Sequence, residues 1–70
     1  MTDEDRTIIR AATLPRRART IAAAELGIST AALAQRALHL LADPEAEAAM
    51  PVEVHRLQRL RDLQAVRRQL

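Results

Sequence analysis

Every basic side chain in this 70-residue sequence that carries a permanent charge is an arginine, and the eleven arginines are not evenly spread. Residues 6–20 hold Arg6, Arg10, Arg16, Arg17 and Arg19 with no acid among them, and residues 54–70 hold Arg56, Arg59, Arg61, Arg67 and Arg68 against Asp62 alone. The acids gather elsewhere, at Asp3, Glu4 and Asp5 and again at Asp43, Glu45, Glu47 and Glu53. A formal net charge of +2 thus conceals two cationic blocks. A guanidinium offers a planar fork of donors matched to phosphate oxygens. Two such blocks in so short a chain point toward a polyanionic partner.

Other chemistry is sparse. His39 and His55 lie 16 residues apart and cysteine is absent, so no metal site is expected. Ser29 has no histidine near it in sequence, and no carboxylate pair sits in a recognisable catalytic motif. A single glycine excludes a Gly-rich phosphate loop. Neither an enzyme nor a cofactor is expected. The absence of Phe, Tyr and Trp removes the stacking platforms on which single-strand and RNA binders depend. Residues Met1-Thr2-Asp3-Glu4-Asp5 form no signal or transit peptide, and no run approaches the roughly 20 apolar residues of a membrane span. A soluble protein of the bacterial cytoplasm is expected, with no membrane association.

The elements that position these residues must be helices. Fifteen Ala and ten Leu stand against seven Ile plus Val, with one Gly and three Pro, which predicts an all-α fold. Missing Lys, Asn, Phe and Tyr fit a GC-rich genome. At this length the chain is one domain, and it buries only about 60% of its unfolded surface, so close helix packing or a second subunit is needed.

Punctuation divides residues 1–70 clearly. Thr2 caps a first helix whose opening turn carries Asp3, Glu4 and Asp5, with Ile8, Ile9 and Ala12 as its apolar face. Leu14-Pro15 ends it, and Pro15 suits the first turn of a second helix reaching Leu26, with Ala18, Ile21, Ala22 and Leu26 facing inward. Gly27 is expected as a left-handed C-terminal cap, and Ser29 as the N-cap of a third helix from Thr30 to about Ala42, with Leu33, Ala37, Leu40 and Leu41 inward. Asp43-Pro44-Glu45 opens a short helix to about Ala49, and Pro51 starts the last helix, 51–70. In that helix Val54, Leu57, Leu60, Leu63, Val66 and Leu70 recur at intervals of 3, 3, 3, 3 and 4, so the apolar stripe rotates around the cylinder. Leu63, Val66 and Leu70 fall nearly opposite Val54 and are assigned to a homodimer contact.

Two helices joined through a Gly-containing turn at about residues 15–42 have the spacing of a DNA-binding helix-turn-helix, Ala23-x-x-Leu26-Gly27-Ile28-Ser29-x-x-x-Leu33. In that arrangement the third helix enters the major groove of double-stranded DNA. Ser29, Thr30, Ala31, Ala34 and Gln35 are then the base-reading positions: Gln35 suits adenine, and the alanines suit a thymine methyl or a close approach. Arg16, Arg17 and Arg19, with Arg36, are the candidate phosphate contacts.

From Leu26 onward the sequence resembles the small helix-turn-helix proteins of actinobacteria and their phages that are filed as a domain of unknown function. The resemblance rests on Leu26-Gly27-Ile28-Ser29, Gln35, Leu40-Leu41, Asp43-Pro44, Ala48-Ala49, Pro51, Val54, Arg56-Leu57, Arg59 and Arg61, and covers about residues 20–68. It implies a helix-turn-helix fold and DNA binding. Where that family usually carries Arg-Tyr-Tyr-Gln on the third helix, this chain has Ala32-Leu33-Ala34-Gln35. The expectation is a small dimeric DNA-binding regulator. The alternative is a protein-interaction module that engages a host regulator or polymerase, suggested by the apolar face Ala31, Ala34 and Leu38 and the acidic stretch from Asp43 to Glu53.

Overall fold

The computed structural model describes the backbone of residues 1–69 and the side chains of residues 1–63. It is an all-α bundle in the order α1 (Asp3–Ala12), α2 (Arg16–Glu25), α3 (Thr30–Leu41), α4 (Pro44–Ala49) and α5 (Pro51–Gln69). Three helix starts follow directly from side-chain chemistry. The Thr2 hydroxyl accepts from the Asp5 N–H at 3.1 Å while the Asp5 carboxylate accepts from the Thr2 N–H at 3.2 Å, a reciprocal capping box. Ser29 Oγ accepts from the Ala32 N–H at 3.1 Å, and Asp43 Oδ1 from the Glu45 N–H at 2.9 Å. Each such cap contributes about 1 kcal/mol by satisfying an amide that the helix itself cannot. α2 differs: Pro15 is its N-cap rather than part of its first turn, and no side chain caps it.

The bundle is built around α1. Its adjacent residues Ile8 and Ile9 are both buried, and they serve two separate clusters. Ile8, Ala11 and Ala12 meet Ala23 of α2 and Leu33 and Ala37 of α3. Ile9 meets Ala46 of α4, Met50, and Val54 of α5. Leu40 and Leu57 touch both clusters and join them. Alanines hold five of the ten buried positions, so helices in this core without aromatics meet largely through small side chains. The expected apolar face of α1 is therefore present and wider than Ile8, Ile9 and Ala12 alone.

The expected inner stripe of α2 needs correction. Ala18 and Ala22 are half-buried, but Ile21 is 61% exposed and Leu26 is 36% exposed. Ala23 is the buried residue of this helix. The methyl side chain of Ala23 allows α2 to cross α1 and α3 closely, and Ile21, two residues earlier, then points about 160° away. Leu26 is the C-cap, beyond the crossing, and Ile28 packs against the core after the turn. In α5 the rotating stripe behaves as its spacing requires: Val54 is buried, Leu57 half-buried, and Leu60 and Leu63 are exposed. No described helix is long and apolar enough to cross a membrane.

Candidate nucleic-acid interface

The geometry of the site begins at the α2–α3 turn. Gly27 has φ +75°, in the left-handed region where a side chain would be strained. Its N–H donates to the Ala24 carbonyl and the Ile28 N–H to the Ala23 carbonyl, both at 3.0 Å. These two bonds form a Schellman motif that satisfies the last carbonyls of α2 and reverses the chain. The Ser29 cap then starts α3 at once. Ala23 and Leu33, on either side of the turn, are buried in the same cluster, which fixes the two helices against each other. As a result Ser29, Thr30, Ala31, Ala34, Gln35, Leu38 and His39 are all exposed.

Ser29 lines neither of the two grooves that flank α3, and the other exposed residues divide between them. One groove, about 330 Å³, runs between α3 and α5 over Ala12. Thr30, Ala31, Ala34 and Leu38 form one wall, Leu57 and Leu60 the other, and among the described residues Arg19 and Arg61 contribute the only charged side chains. The other groove, about 490 Å³, lies between α3 and the start of α1 and brings Gln35, Arg36 and His39 together with Glu4 and Asp5. Arg36 Nη1 lies 3.6 Å from Glu4 Oε1 there, so this candidate phosphate contact faces an acid of its own chain. Both partners are well exposed, and a pair of this kind contributes little to stability.

The candidate residues are therefore not one cluster. Arg19, half-buried, lies beside Thr30, Ala31 and Ala34, whereas Gln35 falls across the crest of α3 on the acidic side. Arg16 precedes Arg19 by three residues and shares its face of α2, while Arg17 is about 160° around the helix from Arg19. With Arg16, Arg17 and Arg19 near its start, no acid in its first turn and no side-chain cap, α2 presents a concentrated positive end. In the sequence Arg61 belongs to the C-terminal arginine cluster, a further phosphate contact if the last helix points toward the site. Its position depends on the direction of α5, which local spacing does not specify. A third groove, along α4 and α5, has mixed charge from Glu47, Arg56 and Arg59 beside His55.

Of the residues assigned to a subunit contact, Leu63 is 55% exposed, and Val66 and Leu70 lie outside the described residues. Among the described residues no three His, Cys, Asp or Glu side chains are grouped to hold a metal ion.

Comparison with known proteins yields one family. The model of the family described as "Protein of unknown function (DUF3263)" matches residues 2–69, nearly the whole chain. No curated protein and no solved structure matches it. The chain belongs to the DUF3263 family.

Proposed function

We propose that this member of the DUF3263 family is a DNA-binding protein that uses α2 and α3 as a helix-turn-helix and serves as a transcriptional regulator. The single observation that carries the reading is the groove, with no acid among its described residues, in which Arg19 stands beside the exposed first half of α3. α3 offers Thr30, Ala31 and Ala34 to base edges in the major groove, and Arg19 and Arg16 contact the adjacent phosphates. The uncapped, cationic start of α2 supports this. Its free amides and its arginines repel one another electrostatically, and a DNA phosphate relieves both. Arg36 and Gln35 have lesser roles because Glu4 and Asp5 lie beside them. The role is one of binding rather than catalysis, and it belongs in a bacterial cytoplasm, of an actinobacterium or of a phage host.

The short reading face favours a homodimer, which doubles the contacted half-sites. Exposed Leu63 on α5 supports a subunit contact there, the contact to which the sequence also assigns Val66 and Leu70. Leu63→Asp is expected to halve the sedimenting mass; an unchanged mass overturns that contact. An anisotropy titration of mixed-sequence duplex at low salt tests the main reading. Binding at micromolar protein that weakens linearly in log–log form with salt is expected, and absence of binding or of a salt slope contradicts it.

The second reading is a protein-interaction module. Exposed Leu38 and Leu60 in the same groove favour it, since apolar surface of this kind also marks protein contacts. Retention of a host protein after nuclease treatment of a lysate, with no duplex binding, would select it.

A further inference from the structure

We infer that the groove between α3 and α5 reads the C5-methyl groups of pyrimidines in the DNA major groove. The inference rests on the DNA-binding reading and names the chemistry that the face selects. Ala31 and Ala34 end in methyl groups, Leu38 and Leu60 add larger apolar surface, and Thr30 at the start of α3 supplies the one neutral hydroxyl in the groove. The major-groove edge of a purine presents hydrogen-bonding groups, and the methyl group found there is the C5-methyl of thymine or of a methylated cytosine. A guanine or adenine edge pressed against alanine loses its water and gains no hydrogen bond, which is unfavourable. A methyl group pressed there loses nothing polar and removes apolar area from water.

The charges fit the same occupant. Arg19 from α2 and Arg61 from α5 line the same groove from different helices, so guanidiniums stand among side chains that are otherwise mostly apolar. The other two grooves both include carboxylates, Glu4 and Asp5 in one and Glu47 in the other, and those repel a phosphate backbone. A mostly apolar lining with guanidiniums from two helices complements a methyl-bearing base step beside phosphates. Thymine and 5-methylcytosine present the same methyl group, so either base is a source of the ligand chemistry.

The test compares four duplexes with the full-length protein at one fixed salt concentration. Two are an A·T-rich duplex and its counterpart with deoxyuridine in place of thymidine; two are a C·G-rich duplex with and without 5-methylcytosine. Each contacted methyl is expected to tighten binding about fourfold. Thymine binding tighter than uracil, or 5-methylcytosine tighter than cytosine, supports the inference and identifies the source. Equal affinity within both pairs, with a normal salt slope, overturns the methyl reading and leaves DNA binding intact. Absence of salt-dependent binding to all four overturns DNA binding itself, and the inference with it. Ala34→Ser, at an exposed position that a folded far-ultraviolet spectrum checks, is expected to bring the thymine-to-uracil ratio toward one without changing the salt slope. An unchanged ratio in that variant removes the methyl contact from this face of α3.

Discussion

The two flanks of α3 are made by one helix but differ in charge and in partner. On the α5 side, Thr30, Ala31, Ala34 and Leu38 share a groove with Arg19 and Arg61 and, among the described residues, no carboxylate. On the α1 side, Gln35, Arg36 and His39 share a groove with Glu4 and Asp5. The acids of α1 are there for a local reason, because the first turn of a helix favours negative charge and Asp5 completes the Thr2 capping box. A cap on one element thus sets the sign of a groove on another. The side chain best suited to base reading, Gln35, lies on the flank least suited to a polyanion, and the plain alanines lie on the flank best suited to it.

The comparison can be broken outright or sharpened by degrees. Leu33 lies beneath both flanks with no exposed area. Leu33→Ala is expected to cost about 2–5 kcal/mol and to lower the melting temperature by roughly 10 °C or more, disabling both sides together. A more selective break adds a carboxylate to each flank in turn. Ala34→Asp is expected to weaken duplex binding roughly 30-fold, or about 2 kcal/mol, by setting a negative charge against the phosphates. His39→Asp, on the flank already acidic, is expected to change it less than about threefold. Anisotropy titrations of the two variants compare the flanks directly.

Smaller effects come from the turn and from the acidic flank itself. Nothing lies within 4 Å of a Cβ built at Gly27, so Gly27→Ala meets no neighbour and its cost is that of the left-handed backbone at φ +75°. A loss of about 1–2 kcal/mol is expected in a denaturant titration. Glu4→Gln removes the exposed pair with Arg36 and is expected to change stability by less than about 0.5 kcal/mol while leaving duplex binding the same or slightly tighter.

Much of the fold was legible because helix starts and stops are local chemistry. Thr2, Ser29, Asp43 and Gly27 each act within three residues of themselves, and each caps as its type demands. The rotating stripe of α5 was legible for the same reason, since helical geometry alone separates Val54 from Leu63. What local pattern did not convey was which neighbour each face meets. The turn motif marks Ala23 as a small residue at the helix crossing, but apolar periodicity places Ile21 inward as well, and the structure leaves that larger side chain outside. α1 is the axis of the bundle because Ile8 and Ile9 are buried by different helices, a property of tertiary partners and not of its own periodicity. In the candidate site, the exposed positions of α3 were readable from spacing. Their division between a basic and an acidic groove depends on where α1 and α5 lie.

The most direct test of the account compares the salt dependence of duplex binding for the natural protein and for Arg19→Gln combined with Arg61→Gln. If the α5-side groove is the DNA face and both guanidiniums meet phosphate, the double variant binds more weakly, and the magnitude of its log–log salt slope falls by about 2 for each bound subunit. An unchanged slope and affinity in a folded double variant would contradict the assignment of that groove to DNA.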